Sequence, residues 1–308
     1  MPEQAAIHWG AEALWEQLVP LLPGLNVEVV HRATSTNTIL LERARASPDT
    51  RTEGPDVQVR RSVESGAYGR RAADLQPCLL VAEHQSAGRG RQGRPWQSMP
   101  GASLTFSLGL PLAAADWSGL SLAVGVALCE ALAPPGVDSE HSGPQIGLKW
   151  PNDLWLMDGP VHSAANGRKL GGVLIETVSA GDVDNSKRLV IIGIGLNVLP
   201  FDAPEARTGF ASLHELDAGA TAPAVLAKIA LPLVQALQLF EREGFAAFAE
   251  RFAARDLLRG RAVRTTLPEV PEGIARGVST QGALLVQSAA GITSVSSGEV
   301  SVRLAADA

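Results

Sequence analysis

The chain has 308 residues, of which 45% are hydrophobic and 19% are charged, and its formal net charge is −6. This composition can bury a core and excludes a disordered chain, and the acidic balance argues against a generally basic surface for nucleic acid. The length predicts two domains, one large and one small.

The cysteine content and the apolar runs bear on the compartment. Cys78 and Cys129 lie in apolar stretches without the spacing of metal ligands, as expected for buried thiols in a reducing compartment. The amino terminus lacks the pattern of an export signal, and the longest apolar run, 120–129, reaches about half of a membrane span. We therefore expect a cytoplasmic protein that does not enter a membrane.

Hydrophobic periodicity predicts an α+β protein. In chain order it predicts a helix at 11–22, a strand at 26–32, a helix from Ser35 to Ala46, strands at 78–82 and 103–110, a buried helix at 120–132, and strands at 146–150, 154–157, 170–178 and 189–198. Two polar segments without a period, 47–76 and 158–168, are predicted to be surface loops, the first a mobile insertion.

The last third of the chain changes character. Residues 222–254 predict two helices with a break at Gly244. From about residue 256 short strands alternate with Gly and Pro turns, which predicts a small barrel. The predicted strands lie at 261–266, 274–278, 283–287, 292–295 and 299–304.

The segment from Gly88 to Arg94 combines three glycines with three arginines. The glycine spacing matches a dinucleotide-binding loop, but such a loop opens a helix, whereas Pro95, Trp96 and another strand follow here. A backbone that wraps a ligand, with guanidinium groups aimed at phosphate or carboxylate, fits better. A solvated basic loop is the alternative.

Two lysine-containing segments predict further site residues. After Lys149 and Trp150, Pro151 forces a turn that brings Asn152 and Asp153 to the end of a strand, where Asp153 could orient a metal or a ribose or simply stabilise the turn. Lys169 precedes two glycines at the start of an apolar strand. Only four of the 26 basic residues are lysines, which favours a point-charge role for Lys169 over an exposed strand end.

A strand with Gly193, Gly195 and Asn197 on one face and apolar residues on the other is typical of a strand beneath a ligand, or of one packed closely by a helix. The six histidines form no zinc-ligand pattern and no nucleophile elbow is present. The pattern indicates electrostatic catalysis on an anionic ligand by arginine, lysine and amides.

Together these segments resemble the biotin protein ligase family. The similarity lies in Ser35–Asn37, in QSAGRGRQGRPW (85–96), KWPNDL (149–154), KLGGVLIE (169–176) and GIGLN (193–197), and in the tail at 281–285 and 298–303. The order and rough spacing agree from residue 27 to 304. The resemblance implies a mixed-sheet catalytic domain of the biotin/lipoate ligase type at 1–255 and a small SH3-like β-barrel at 256–308.

The resemblance also implies the reaction. Biotin and ATP, with Mg²⁺ on the ATP phosphates, would give biotinyl-5′-AMP and pyrophosphate. The biotinyl group would then pass to the acceptor lysine of a biotin carboxyl carrier domain. Fixed cations suit the negative charge that develops on the transferring oxygens.

The family's site residues carry over to matching positions. The resemblance places the biotin ring among Ser35, Thr36, Asn37 and Gln85, and the closing loop at Gly88, Arg89, Gly90 and Arg91, with Gly172 lining the pocket. Arg91 and Lys169 would be catalytic, Lys169 bridging the biotin carboxylate and the α-phosphate. The implied nucleotide residues are Arg94, Trp96, Asn152, Asp153, Asn197, Glu299 and Arg303.

Some features differ from the family pattern. The segments 47–76 and 158–168 are longer than expected, and the residues before Ser35 predict one helix and one strand, too few for the DNA-binding domain of some members. We therefore expect no DNA binding. A homodimer through a sheet edge is also an expectation.

Two other functions are weighed against this one. A lipoate–protein ligase or octanoyltransferase shares the fold, but those families carry a histidine after their Arg/Gly signature, and this loop has none. A non-catalytic biotin-binding protein would not need Arg91 and Lys169.

Overall fold

The computed structural model describes residues 7–45, 59–63, 76–133, 144–161, 167–179, 187–202, 209–298 and 300–305. Within these ranges the chain has 15 β-strands and five α-helices, which confirms the predicted α+β class. The described residues form two compact units. The first lies within Met1–Ala113, Gly172–Ala206 and Ser212–Val234, and the second within Ala114–Gly171, Arg207–Ala211 and Gln235–Ala308.

The elements are numbered in chain order. The first group is α1 (Ala11–Leu18), β1 (Asn26–Ala33), α2 (Thr36–Arg45), β2 (Val59–Val63), β3 (Cys78–Gln85), β4 (Gly88–Arg89), β5 (Pro95–Trp96) and β6 (Ser103–Leu112). Next come α3 (Leu120–Leu132), β7 (Gln145–Lys149), β8 (Asp153–Met157), β9 (Gly167–Ser179) and β10 (Arg188–Asn197). The last group is α4 (Ala222–Glu243), α5 (Ala249–Ala253), β11 (Ala262–Thr265), β12 (Glu272–Val278), β13 (Leu284–Ser288), β14 (Gly291–Val295) and β15 (Val302–Leu304).

The predicted elements are confirmed in type and order, with ends that move by a few residues. Three short strands are exceptions. β4 and β5 lie in the Gly/Arg segment, which is predicted to be a loop, and β2 lies inside the segment predicted to be a mobile insertion and pairs antiparallel with β1. The prediction is wrong there because the two valines of this short strand are separated by Arg60, Arg61 and Ser62, so its apolar signal is weak. The rest of that segment before Gln76, and residues 162–166 of the second polar loop, lie outside the described residues.

The first unit is built on a mixed sheet with the strand order β2-β1-β3-β6-β10-β9. β1 and β3 are parallel, whereas β6 is antiparallel to both β3 and β10. Helix α2 covers one face, where Leu40 and Leu41 pack with Leu80 and Ile191. Each such buried side chain contributes about 1.5–3 kcal/mol to folding.

Helix α2 begins where the sequence predicts. The Ser35 carbonyl accepts a hydrogen bond from the Ile39 N–H at 3.0 Å, and the Ser35 hydroxyl lies 3.5 Å from the Thr38 nitrogen. This is the N-cap role expected of a serine before a helix. The first turn of α2 is thereby held with its polar residues beside the sheet.

The second unit contains α3 and part of the β9-β8-β7 sheet. Residues 120 and 122–129 of α3 are buried, which confirms the predicted buried helix. Gly125 lets Leu148 of β7 pack closely, since a Cβ at Gly125 would lie 2.9 Å from Leu148 Cδ2. β7 and β8 form an antiparallel hairpin around the turn at Trp150–Asn152.

The carboxyl-terminal strands form a five-stranded sheet in the order β14-β13-β12-β11-β15, with every pair antiparallel. The five predicted short strands are thereby confirmed. Within the second unit, Leu148 exchanges backbone hydrogen bonds with Arg255 and Leu257 at 2.7 and 3.0 Å, and Trp150 Nε1 donates to the Gly282 carbonyl at 3.0 Å. The domain boundary at 255/256 stays a prediction.

Two features bear on the expected location of the protein: the apolar character of α4 and the burial of the two cysteine thiols. By length and composition α4 could cross a membrane, and half of its apolar window is buried inside the protein. Burial raises the pKa of Cys129 to about 12. The thiol of Cys78, in a partly buried residue, also has a raised pKa because of desolvation and the nearby Glu28.

The hydrogen bond from Trp150 to Gly282 can be tested by stability. Trp150→Phe removes the donor and leaves a carbonyl of a buried glycine unsatisfied, so we expect the free energy of unfolding in urea to fall by about 1–3 kcal/mol beyond the loss of packing. Trp155→Phe is the matched control, because Trp155 is also buried and its Nε1 has no hydrogen-bond partner among the described residues. Equal losses in the two variants would contradict a stabilising role for this hydrogen bond.

Candidate active site

The first turn of α2 carries a buried polar cluster. Ser35, Thr36 and Asn37 are each 3% exposed. Gln85, at the end of β3, accepts at Oε1 from the Thr36 backbone N–H at 2.8 Å and from the Thr36 hydroxyl at 3.2 Å. The four residues predicted to hold the biotin ring therefore lie together, at the junction of α2 and β3.

Ser107 of β6 extends this cluster, and sequence reasoning missed it. Its Oγ lies 2.7 Å from Thr36 Oγ1 and 2.6 Å from Asn37 Oδ1. One hydroxyl proton serves one acceptor at a time, so Ser107 couples the two side chains. The available signal was the alternation of Ser103, Thr105 and Ser107 along β6, which does not identify a partner 70 residues away.

Asn37 has a defined orientation. Its Oδ1 faces the Ser107 hydroxyl, whereas its Nδ2 donates to Glu176 Oε2 at 2.9 Å and to the Leu174 carbonyl at 3.3 Å. A Cβ at Gly193 would lie 2.2 Å from Asn37 Oδ1, so only glycine fits beneath this side chain.

The Gly/Arg segment is a small closed hairpin. β4 pairs with β5 through Gly88 and Trp96 and through Arg89 and Pro95, and the Gly90 N–H donates to the Arg94 carbonyl at 2.7 Å. A single 3₁₀ turn at Arg91–Gly93 closes it, with Gln92 at a φ of 57°. Among the described residues no α-helix follows this motif before α3, in line with the rejection of a dinucleotide-binding loop.

The arginines of this hairpin point outward to different degrees. Arg89 is exposed and pairs with Glu176, its Nη2 lying 3.3 and 3.2 Å from the two carboxylate oxygens. Arg94 is exposed and donates to Gln92 Oε1 at 3.2 Å, and Arg91 is half-buried. Glu176 lies in the KLGGVLIE segment but was not predicted as a site residue.

Trp96 lies on the glycine face of β10. A Cβ at Gly195 would lie 2.4 Å from Trp96 Cε2, and a Cβ at Gly88 would lie 2.4 Å from the Trp96 carbonyl oxygen. Asn197 is 6% exposed at the end of the same strand. Since Ile192, Ile194 and Leu196 are buried on the opposite face, the predicted alternation of β10 is confirmed.

The second unit contains three charged residues of the lysine-containing motifs: Lys149, Asp153 and Lys169. The Lys169 ammonium lies 2.7 Å from Asp153 Oδ1, and both side chains are partly exposed. Lys149 is buried, with its Nζ 4.2 Å from the centre of the Trp155 ring, a cation–π contact. The β7–β8 turn, which contains Asn152, thus places Asp153 against Lys169 at the start of β9.

Of the two tail residues that the resemblance assigns to the nucleotide, the structure describes only one. Arg303 is exposed on β15 and pairs with Arg264 in the sheet register, whereas Glu299 lies outside the described residues. Gly172 is partly buried on β9. No group of three His, Cys, Asp or Glu side chains that could hold a metal occurs in the described part of the chain.

Comparisons with known proteins agree with this arrangement. The model of the biotin/lipoate A/B protein ligase family matches residues 72–197, and that of the biotin protein ligase C-terminal domain matches residues 259–303. A biotin–[acetyl-CoA-carboxylase] ligase of Mycobacterium tuberculosis is 32% identical over 94% of this chain and 91% of its own length.

Two further likenesses concern a bifunctional protein and a solved structure. The bifunctional ligase/repressor BirA of Salmonella typhimurium is 36% identical over 73% of this chain, and the match spans 66% of that protein's length. The biotin protein ligase of Aquifex aeolicus, solved with biotin and ATP, is 25% identical with a TM-score of 0.64 and covers 91% of this chain and 99% of its own. The chain therefore belongs to the biotin protein ligase family.

Proposed function

We propose that the chain is an ATP-dependent biotin–protein ligase. It activates biotin as biotinyl-5′-AMP and transfers the biotinyl group to a lysine of a biotin carboxyl carrier protein. The observation that carries this proposal is the hydroxyl and amide cluster of Thr36, Asn37 and Gln85, which is joined through Glu176 to the arginine hairpin. A neutral ureido ring and an anionic tail need these two kinds of group side by side.

In the first step a biotin carboxylate oxygen attacks the α-phosphorus of ATP. The new bond joins that oxygen to phosphorus, the bond from phosphorus to the bridging oxygen breaks, and pyrophosphate leaves. Arg91 and Lys169 are the proposed catalytic cations, with Arg89 at the carboxylate. Asp153 Oδ1 lies 2.7 Å from the Lys169 ammonium. When the substrate binds, its anions would replace this carboxylate as the partner of Lys169.

The biotin ring is assigned to the α2 cluster. Thr36, Asn37 and Gln85 supply donors and acceptors, and Ser35 fixes the helix start. The glycines assigned to the biotin pocket are Gly88, Gly90 and Gly172. At Gly88 the missing Cβ leaves room for the Trp96 carbonyl, and at Gly90 and Gly172 it lets the ligand approach the backbone.

The nucleotide is assigned to Trp96, on which the adenine would stack, with the polar residues Arg94, Asn152, Asn197, Glu299 and Arg303 around the ribose and phosphates. Mg²⁺ usually binds through one or two carboxylates together with substrate phosphates, and the single carboxylate of Asp153 fits that donor set. When bound, Mg²⁺ would neutralise charge on the phosphates.

In the second step the uncharged amine of the carrier lysine attacks the acyl carbon of the adenylate. The carbon–nitrogen bond forms, the acyl carbon–oxygen bond breaks, AMP leaves and the amine proton passes to solvent. The assignment covers ligase activity without repression or DNA binding. A cytoplasmic location and a homodimer belong to the same proposal.

A lipoate or octanoate enzyme is the second candidate, because the matching family model spans both ligase types. Substrate choice decides between them. The purified chain with Mg-ATP and biotin, without any carrier, should release pyrophosphate and retain biotinyl-5′-AMP, whereas lipoate and octanoate should give neither. Release with lipoate or octanoate instead of biotin would overturn the assignment, and biotin binding without adenylate would indicate a non-catalytic binder.

Lys169→Ala should lower the rate of pyrophosphate release about 10²- to 10³-fold, because the ammonium stabilises charge that develops in the transition state. The Kd for biotin, measured by calorimetry, should rise less than about fivefold. Lys228→Ala, an exposed lysine on α4, is the control and should leave both unchanged. Equal losses in rate and affinity would make Lys169 a binding residue only.

Gly193 and Gly195 allow the two substrates to be separated. Gly193→Ala displaces Asn37 and should raise the KM for biotin roughly tenfold, whereas Gly195→Ala displaces Trp96 and should raise the KM for ATP by a similar factor. Each variant is the control for the other, since both add one methyl group to the same strand face. Identical effects on both substrates in both variants would refute the assignments of Asn37 and Trp96.

A further inference from the structure

Glu176 is the one described carboxylate that joins the α2 cluster to the arginine hairpin. Its Oε2 accepts from Asn37 Nδ2 at 2.9 Å, and both carboxylate oxygens lie within 3.3 Å of Arg89 Nη2. These partners lie 139 and 87 residues away in the chain. A single side chain on β9 therefore sets the position of two others that come from α2 and β4.

The contact between Glu176 and Asn37 determines the orientation of the Asn37 amide. An asparagine amide can turn over and exchange its donor and acceptor ends. Here Ser107 Oγ and Glu176 Oε2 face opposite ends of the amide, so turning it would place the amide oxygen against a carboxylate. Glu176 thus fixes which end of Asn37 is the donor.

The contact with Arg89 is of a different kind. Arg89 is 42% exposed and Glu176 26% exposed, and the two contacts share one guanidinium nitrogen instead of forming a two-nitrogen fork. An exposed pair of this geometry is weak. The Glu176 carboxylate can therefore be replaced by another anion at Arg89 without a large loss.

We propose that Glu176 is a positioning residue for the acid substrate: it holds the Arg89 guanidinium beside the Asn37 amide in the empty site and yields it to the substrate carboxylate. This proposal rests on the proposed function, because the substrate is taken to be biotin. Glu176 itself touches Arg89 and Asn37 and takes no part in bond formation. Its loss affects how well the acid is captured and leaves the chemical step nearly intact.

Glu176→Gln tests the proposal, since glutamine keeps the size and can still accept from Asn37 but loses the charge that attracts Arg89. The KM for biotin in the pyrophosphate assay should rise about three- to fivefold, with kcat and the KM for ATP changed less than about twofold. Glu28→Gln is the matched control. Glu28 lies on β1, accepts two hydrogen bonds of 2.9 and 2.8 Å from Arg43 and belongs to no proposed site. It should leave all three constants unchanged.

A second readout does not depend on activity. Trypsin cleaves after arginine, and the peptide bond after Arg89 becomes accessible only when β4 opens. In Glu176→Gln, Arg89 has lost its ion pair, so cleavage after Arg89 should be about three- to fivefold faster than in the unchanged chain. The rate is followed by the mass of the fragment that ends at Arg89. Glu28→Gln should show the unchanged rate.

The outcomes separate the two proposals. If the unchanged chain forms no biotinyl-5′-AMP, the proposed function fails, and the cleavage rates still decide whether Glu176 holds Arg89. If adenylate forms but Glu176→Gln leaves both the KM for biotin and the cleavage rate unchanged, Glu176 is not a positioning residue. A fall in kcat without a change in KM also overturns the proposal, because it would place Glu176 in the chemical step.

Discussion

The arrangement of the first unit depends on two missing Cβ atoms on β10. At Gly193 and Gly195 the strand offers bare backbone, and Asn37 and Trp96 occupy the space where side chains would otherwise stand. The opposite face of β10 is fully packed through Ile192, Ile194 and Leu196. The strand therefore cannot move away to make room, and larger residues on the glycine face would displace Asn37 and Trp96 instead.

Two of the predicted cations are paired with carboxylates of the protein itself. Lys169 is paired with Asp153, and Arg89 is paired with Glu176, each within its own unit. A flexible cation that is already near its working position loses less conformational freedom when the substrate binds. Under the proposed function the anions of the substrate would compete with these carboxylates for the two cations. Partial exposure keeps that competition mild, because solvent screens these pairs.

Several features could be predicted from the sequence because their signals are local. The alternation in Gly193–Asn197 identifies the two faces of β10, and the unbroken apolar run of 120–129 identifies a buried helix. The motifs that resemble the family also identify Thr36, Asn37 and Gln85 as residues for the biotin ring, and the structure brings these three residues together.

Other features depend on contacts between residues distant in sequence, and no local pattern encodes them. Ser107 and Glu176 look like ordinary strand residues until the fold brings them to Asn37. The pairing of Asp153 with Lys169 likewise follows from the order of strands β7, β8 and β9. Strand β2 gives only a weak apolar signal in the sequence, because two arginines and a serine separate its two valines.

The bonds that join β7 and its turn to the carboxyl-terminal segment limit how this protein can be recombined with its relatives. Leu148 shares backbone hydrogen bonds with Arg255 and Leu257, and Trp150 donates to the carbonyl of Gly282. A chimaera spliced after residue 255 would keep the donor indole and exchange its acceptor turn. Such a graft would lose this hydrogen bond unless the incoming turn presents a carbonyl at the same place, so the hairpin and the tail are best exchanged together.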